Sequence, residues 1–186
     1  MNIVLLGYRG AGKSTVGRIL ARKLRMPLVS LDVEIVRKAG KRIPEIVAES
    51  GWEAFRDLES SVVDFYAGKD GWILDAGGGV VVRASNVERL RRRGLLIWLK
   101  VSPSAVVDRI RSDTERPALK EGKTFLEEIE EVLAERTPLY ASAAHLTVET
   151  DGRPPDVVAA EILSRLKGLG RARPPGGVSV PGQAPS

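Results

Sequence analysis

Short apolar runs alternate along this chain with longer segments in which apolar residues recur every three or four positions. The runs lie at residues 3–6, 27–31, 72–74, 95–99 and 146–149, and each has the length of a strand. The run at residues 95–99 is uninterrupted, which is typical of a central strand covered on both faces. Strands that alternate with helices predict an α/β fold of three layers, in which a parallel sheet lies between helices.

Start and stop signals divide the helical segments. The helical pattern at residues 33–67 is interrupted at Gly40 and Gly51, because glycine weakens a helix interior. We expect the strand at residues 27–31 to end at Asp32, where this pattern opens. The other helices are predicted to begin after residue 13, near residue 85 and near residue 103, and to cover about 125–136 and 156–166.

The chain length sets the domain organisation. With 186 residues the chain is long enough for one full core, and we expect a single domain over residues 1–169. Residues 112–123 are polar and charged, a composition that indicates a mobile loop. Residues 170–186 are rich in proline and glycine and hold no aromatic residue, so they are predicted to form a disordered tail.

Composition excludes several kinds of site. The chain has no cysteine, which removes disulfides, thiolate zinc sites and cysteine nucleophiles. Its net charge of +5 is spread among acidic residues, which suits a small anionic ligand or a solvated surface, and we expect no nucleic-acid partner. No apolar stretch has the length of a membrane span or signal peptide, so we expect a cytoplasmic protein. The one histidine, His145, is assigned no role.

Residues 7–14 match the pattern G-x-x-x-x-G-K-[ST] directly after the first apolar run. In such a loop, glycines allow backbone N–H groups to converge on phosphate, lysine reaches the β- and γ-phosphates, and the hydroxyl binds Mg²⁺. A glycine-rich turn that matches by chance is the alternative, but the strand before it and the helix after it favour a phosphate-binding loop. A dinucleotide fingerprint is excluded because Thr15 stands where its last glycine would be. The predicted nucleotide-binding residues are Gly10, Ala11, Gly12, Lys13, Ser14 and Thr15.

Further motifs along the chain resemble those of the shikimate kinases in order and spacing. After the loop come Asp32, the segment at residues 51–59 with its F-R-x-x-E motif, the triple glycine at residues 77–79, and then Arg116-Pro117 and Arg136-Thr137-Pro138-Leu139-Tyr140. The resemblance covers about residues 2–166. It implies a P-loop NTPase-like fold with a helical substrate-binding segment at about residues 32–60 and a lid at about residues 112–123. It also implies transfer of the ATP γ-phosphoryl group to the 3-hydroxyl of shikimate, with Mg²⁺ as cofactor and ATP as co-substrate.

The resemblance assigns residues to the acceptor. Arg56 and Arg136 are matched to a clamp on the shikimate carboxylate, a role that suits forked, permanently charged donors. Glu59 lies three residues after Arg56 on a helix and can hold its guanidinium. Asp32 is matched to the residue that orients or deprotonates the accepting hydroxyl, and Gly78 and Gly79 to backbone contacts. The alternative for the arginines and Glu59 is that they are ordinary surface charges. The alternative for Gly78 and Gly79 is that they form a flexible exit from the strand.

Other residues are assigned to the nucleotide. Arg116 resembles a lid arginine that closes over the transferring phosphate, and it is counted as catalytic together with Lys13 and Asp32. Arg109 resembles an arginine that flanks the adenine, with a solvated helix face as the alternative. Arg153, within residues 151–155, is matched to the same base.

The chain departs from the family pattern at one point. Shikimate kinases usually carry D-x-D after the second strand, whereas residues 30–32 read Ser-Leu-Asp here. Asp75 follows the third apolar run, where the family usually has a small or hydroxyl residue. We hypothesise that the carboxylate serving the outer shell of Mg²⁺ has moved from position 30 to Asp75, with Ser14 as the hydroxyl ligand. The alternative is that Ser14 and the phosphates suffice while Asp75 caps Gly78 or a nearby N–H.

Two other functions remain open at this point. A gluconate kinase on the same scaffold would also take a hydroxy acid that bears a carboxylate. A nucleotide-binding regulatory or scaffold protein that lost turnover is suggested only by Ser30. We expect a monomer whose partners are the small molecules shikimate and ATP, with no membrane or nucleic-acid partner.

Overall fold

The computed structural model describes residues 1–110 and 125–171. In these residues five strands form one sheet with the order β2-β3-β1-β4-β5, and every pairing is parallel. The strands are β1 Asn2–Leu6, β2 Leu28–Ser30, β3 Ile73–Asp75, β4 Gly94–Lys100 and β5 Leu146–Glu149. All carboxyl ends therefore meet at one edge of the sheet, where open α/β sheets bind ligands.

Seven α-helices connect and cover the strands of the described part of the chain. They are α1 Lys13–Leu24, α2 Leu31–Ala39, α3 Ile43–Ala67, α4 Ala84–Arg93, α5 Pro103–Ile110, α6 Phe125–Ala143 and α7 Pro155–Arg171. None of them combines the length and the apolar character needed to span a membrane.

The core lies on both faces of the sheet. Along β1, Ile3 and Leu5 pack on one side with α1, α5 and α7, while Val4 and Leu6 pack on the other with α2, α3 and α4. This alternation follows from the two-residue period of a strand. Helix α6 contributes to both sides, through Ile129 on one and Tyr140 on the other. The predicted three-layer α/β fold is confirmed.

Helix α3 bends where the sequence predicted an interruption. Gly51 has φ +80° and ψ 173° inside the helix, a conformation that side chains with a Cβ rarely adopt. Gly40 ends α2 in the left-handed region with φ +66°. Gly40 therefore ends a helix and Gly51 bends one, at the two positions where the sequence predicted an interruption.

The predicted end of the second strand is wrong by two residues. Strand β2 stops at Ser30, whose side chain accepts a hydrogen bond from the Val33 N–H at 3.4 Å. A serine that caps a helix in this way ends the strand, and α2 begins at Leu31. Asp32 accordingly lies in the first turn of α2 instead of at the strand end.

Two helices are longer than predicted. Helix α6 continues past Arg136 and through Pro138 to Ala143, because Tyr140 and Ala143 are buried against the sheet and packing outweighs the local cost of proline. Helix α7 runs to Arg171, past the predicted domain boundary at residue 169. The rest of the predicted tail, and the predicted lid at residues 112–123, lie outside the described residues.

Candidate active site

The phosphate-binding loop joins β1 to α1 at the carboxyl edge of the sheet. Gly7 has φ +146°, and a Cβ built there would lie 2.6 Å from the Leu99 carbonyl oxygen, so the close approach of the loop to β4 requires glycine. Gly12 caps α1 with φ +89°. The Lys13 ammonium donates to the carbonyl oxygens of Gly7 at 2.9 Å and Tyr8 at 3.2 Å. The loop therefore presents backbone N–H groups and a lysine at the helix amino terminus, as anion binding requires.

Helix α1 and strand β3 meet at a hydroxyl and a carboxylate. The Ser14 hydroxyl donates to Asp75 Oδ2 at 2.5 Å, and Asp75 is 6% exposed. Ser30 is the register partner of Asp75 on the neighbouring strand β2. These are hard oxygen ligands of the kind that Mg²⁺ accepts. No group of three acidic or histidine side chains that could hold a metal occurs within residues 1–110 and 125–171.

A cavity of about 550 Å³ opens beside the loop. Arg109 lies at its wall, where its guanidinium donates to the carbonyl oxygens of Gly10 at 2.9 Å and Thr150 at 2.6 Å. Arg153 lies nearby and donates to Glu161 at 2.7 Å. Both guanidinium groups are held by hydrogen bonds, Arg109 at an exposed position and Arg153 at a half-buried one. The predicted loop residues 10–15 line the same cavity.

A second, adjoining cavity contains the residues predicted to bind the acceptor. Its charged lining is Arg9, Asp32, Arg56, Glu59 and Arg136, and its other lining residues include Tyr8, Ile43, Trp52, Phe55 and the triple glycine at residues 77–79. Only Arg9 and Asp32, among the described residues, line both cavities. The two cavities therefore meet between a cation and a carboxylate.

Arg56 is fixed from several sides. Its Nη1 donates to Glu59 Oε2 at 2.8 Å, and the two residues are 8% and 2% exposed. The guanidinium carbon lies 5.6 Å from the ring centre of Trp52 and 5.1 Å from that of Phe55. Burial raises the pKa of the Glu59 carboxyl, and the positive charge of Arg56 opposes that rise. A buried arginine held in this way is pre-oriented for a carboxylate ligand.

The triple glycine at residues 77–79 fits closely against these side chains. A Cβ built on Gly79 would lie 2.2 Å from both terminal nitrogens of Arg56. One built on Gly77 would lie 2.5 Å from Asp32 Oδ1, whereas one on Gly78 would make only contacts of 3.5 Å or more. A side chain larger than that of glycine at position 77 or 79 would therefore displace the end of Asp32 or Arg56, two of the predicted acceptor-binding side chains.

Arg136 is anchored from helix α6. Its Nη1 donates to the Gly78 carbonyl oxygen at 3.1 Å, and the buried Tyr140 hydroxyl donates to the same oxygen. Burial raises the pKa of Tyr140, so this tyrosine stays a neutral donor. The R-x-P-L-Y motif therefore joins α6 to the glycine segment through two of its side chains.

A family model described as shikimate kinase matches residues 9–167. The chain belongs to the shikimate kinase family. A shikimate kinase from Persephonella marina is 37% identical to it over 166 residues, which cover 89% of this chain and 99% of that protein. The solved structure of shikimate kinase from Acinetobacter baumannii in complex with shikimate has a TM-score of 0.86 at 34% identity and covers 90% of this chain and 93% of that one.

The gluconate kinase alternative has weaker support. A gluconokinase from Sinorhizobium meliloti superposes on this family member with a TM-score of 0.57 at 18% identity, covering 91% of this chain and 93% of that one. At that identity the likeness shows a shared fold alone. Membership of the shikimate kinase family, an ATP-dependent group of kinases that act on shikimate, confirms the prediction made from the motifs.

The structure brings together most of the predicted site residues. Those at positions 10–15, 32, 75, 109 and 153 surround one cavity, and those at positions 32, 56, 78, 79 and 136 surround the other. Arg116 lies outside the described residues. The sequence reasoning assigned no role to Tyr8, Arg9 or Tyr140, although Tyr140 stands in the R-x-P-L-Y motif. Arg9 had a usable signal, since it is the one charged residue among the four variable positions of the G-x-x-x-x-G-K-S match.

Proposed function

We propose that this member of the shikimate kinase family transfers the γ-phosphoryl group of ATP to the 3-hydroxyl of shikimate, giving shikimate 3-phosphate and ADP. The observation that carries the proposal is that Arg56 and Arg136 line one cavity with Asp32, and that this cavity meets the phosphate-loop cavity at Asp32. Two guanidinium groups match one carboxylate. A hydroxy acid gripped at its carboxylate would present a hydroxyl toward the nucleotide.

The nucleotide side is assigned to the loop and its neighbours. Backbone N–H groups of residues 10–15 and the Lys13 ammonium bind the phosphates. Arg109 and Arg153, which line the same cavity, are assigned to the base. Arg116, outside the described residues, stays assigned to the transferring phosphate on the resemblance alone. Its replacement by alanine is expected to lower turnover far more than ATP binding.

The metal ion would be held near Ser14 and Asp75. The Ser14 hydroxyl would be the inner ligand, and the Asp75 carboxylate, which accepts a hydrogen bond from that hydroxyl, would serve the outer shell. Bound Mg²⁺ supplies neutralisation of negative charge on the β- and γ-phosphates. The hydroxyl of Ser14 and the carboxylate of Asp75 fit Mg²⁺ because both offer hard oxygen atoms.

On the acceptor side, Arg56 and Arg136 hold the carboxylate while Gly78 and Gly79 allow the ring to approach the main chain. The bond between the γ-phosphorus and the oxygen that leaves with ADP breaks as a bond to the acceptor oxygen forms. The hydroxyl proton passes to Asp32 or through it to water. Phosphoryl transfer depends mainly on positioning and charge neutralisation, so Asp32 acts chiefly by aligning the hydroxyl.

The test is acceptor-dependent release of ADP. We expect turnover with shikimate and at least about 100-fold lower kcat/KM with gluconate, because an open-chain acid lacks the ring that holds carboxylate and hydroxyl at a fixed separation. A Lys13→Ala variant prepared in parallel controls for contaminating kinases.

Two results would overturn the proposal. Preference for gluconate would assign a different acceptor. Nucleotide binding with no ADP release for any hydroxy acid would favour a regulatory or scaffold protein.

A further inference from the structure

Arg9 occupies the junction of the two cavities. It stands between Tyr8 and Gly10 in the phosphate-binding loop, and its side chain lines both the nucleotide cavity and the acceptor cavity. Asp32 is the other described residue that lines both cavities. A cation and a carboxylate therefore face the passage through which a phosphoryl group would move.

The Arg9 side chain is enclosed by other side chains. It is 15% exposed, and its Nη2 lies 3.6 Å from Glu128 Oε1, whose side chain is 5% exposed. Its guanidinium carbon also lies 5.7 Å from the centre of the Tyr8 ring. The Tyr8 hydroxyl has its pKa raised by burial, against the nearby charges of Arg9 and Arg136. Holding a long charged side chain in one conformation costs rotamer entropy. The contacts with Glu128 on α6 and with Tyr8 in the loop offset that cost and fix the position of Arg9.

Charge in phosphoryl transfer is spread over the three non-bridging oxygens of the moving group. A guanidinium fixed between donor and acceptor can donate to those oxygens without reorganising during the reaction, which makes it more effective than a solvated cation. The Glu128 carboxylate lies 3.6 Å from Arg9 Nη2 and can orient the guanidinium. A guanidinium carries five N–H donors in a fixed fork, more than a single carboxylate takes up.

We propose that Arg9 is a catalytic residue that donates to the non-bridging oxygens of the transferring phosphoryl group, and that Glu128 is its positioning residue. The inference deepens the proposed function and rests on it. Arg9 gains and loses no proton in the step. One P–O bond to ADP breaks, one P–O bond to the acceptor oxygen forms, and the hydroxyl proton leaves as described above.

The first experiment measures steady-state kinetics of Arg9→Gln, with equilibrium dissociation constants for ADP and for shikimate alone. We expect kcat to fall by about 100-fold or more, while both dissociation constants change by less than about threefold, since the contact is made to the moving group. Arg9→Lys keeps the charge without the fork and should recover part of the loss. Unchanged kcat, or a loss confined to the affinity for one ground-state ligand, would overturn the assignment.

Glu128→Gln tests the positioning role. It should lower kcat by about tenfold and add little to Arg9→Gln in the double variant, because the two residues act as one unit. Glu130→Gln, an exposed glutamate two residues along the same helix, is the matched control and should match the wild type. Additive effects of Arg9→Gln and Glu128→Gln, or an effect of Glu128→Gln on thermal stability with none on kcat, would contradict the pairing.

A second readout needs no acceptor. Fluoroaluminate with ADP and Mg²⁺ imitates the transferring group, and it should tighten ADP binding in the wild type and in Glu130→Gln but not in Arg9→Gln. If shikimate gives no turnover while this difference persists, the proposed acceptor is wrong and the role of Arg9 stands. If turnover with shikimate is normal and the difference is absent, the role of Arg9 is wrong and the proposed function stands.

Discussion

The Ser14 hydroxyl donates to the Asp75 carboxylate at 2.5 Å, which joins the first turn of α1 to the end of β3. Ser30, which takes the position of the first aspartate of the usual D-x-D pattern, is the register partner of Asp75 one strand away. The two strand ends are therefore alternative places from which a carboxylate could face the same phosphate-loop cavity, which both residues line.

Moving the carboxylate from β3 to β2 tests the hypothesis that it was relocated from position 30 to Asp75. Asp75→Ser should raise the Mg²⁺ concentration needed for half-maximal turnover by about 10-fold to 100-fold, the usual effect of losing an outer-shell partner. Adding Ser30→Asp should reverse much of that rise, because aspartate retains the helix cap while restoring a carboxylate. The measurement is a Mg²⁺ titration of initial rates at saturating ATP.

Ser30→Ala is the control for the exchange. It should lower stability by about 1 kcal/mol through loss of the cap and leave the Mg²⁺ dependence unchanged. If Asp75→Ser also leaves that dependence unchanged, the hydroxyl and the phosphates are sufficient and Asp75 has a purely structural role.

Gly79→Ala should weaken acceptor binding. The added Cβ would lie 2.2 Å from both terminal nitrogens of Arg56, so the guanidinium must leave its position. We expect the KM for shikimate to rise by about 10-fold or more with the KM for ATP nearly unchanged, in line with the loss of a charge-assisted contact. Steady-state kinetics with each substrate varied in turn provides the comparison.

Two other glycines serve as controls for that steric effect. A Cβ on Gly78 meets neighbours only at 3.5 Å or more, and one on Gly168 in α7 meets nothing within 4 Å. Gly78→Ala should therefore disturb acceptor binding less than Gly79→Ala, and Gly168→Ala should leave both KM values unchanged. Equal effects at positions 78 and 79 would show that displacement of Arg56 is not the cause.

The strands and their sequence along the chain were readable because each contains an apolar run. Residues 146–149, for example, form β5 with the predicted bounds. The errors occurred where tertiary packing or a cap outweighs local signals. The predicted helix stops at Arg136, yet Tyr140 and Ala143 are buried against the sheet and α6 stays helical through Pro138. Ser30 acts as a cap through a hydrogen bond that the apolar run at residues 27–31 does not reveal.

The candidate site was predictable where a motif carries the chemistry. Lys13, Ser14 and Arg56 stand in patterns with a physical reason for each residue type. Arg9 and Tyr140 were missed because their importance comes from contacts between distant segments, such as the ion pair with Glu128 or the bond to the Gly78 carbonyl oxygen. Their local patterns, a charged position in the loop for Arg9 and the R-x-P-L-Y motif for Tyr140, do not reveal these distant partners.

Arg56→Lys separates the shape of the guanidinium from its charge. A lysine can hold the positive charge but cannot form the fork that matches a carboxylate. We expect the KM for shikimate to rise by about 100-fold, which corresponds to the loss of one strong charged hydrogen bond, while the KM for ATP stays within about threefold. Arg83→Lys is the matched control, because Arg83 pairs with Glu53 and Asp57 on the outer side of α3. A similar rise in both variants would argue against a specific carboxylate clamp.

The single histidine offers a direct check of local electrostatics. His145 Nδ1 accepts a hydrogen bond from the Leu96 N–H at 3.0 Å, which only the neutral ring can do. Partial desolvation of the ring, with a smaller contribution from the positive charge of Arg91, lowers the pKa of His145 below its ordinary value of 6.5. We therefore expect the C2 proton of the ring, identifiable because the chain has one histidine, to titrate below pH 6.5 by NMR.

The lowered pKa of His145 determines how the stability of the protein changes with pH. Because the folded-state pKa of His145 lies below its unfolded value, the unfolded chain binds more protons as the pH falls below about 6.5, and stability is lost over that range until the folded-state pKa is passed. Urea unfolding at several pH values should show the loss in the wild type, and His145→Asn should remove this component. Arg91→Gln should move the ring pKa upward and reduce the loss. A wild-type resonance that titrates above pH 6.5, or an unchanged pH profile in His145→Asn, would show that the bond to Leu96 does not control this histidine.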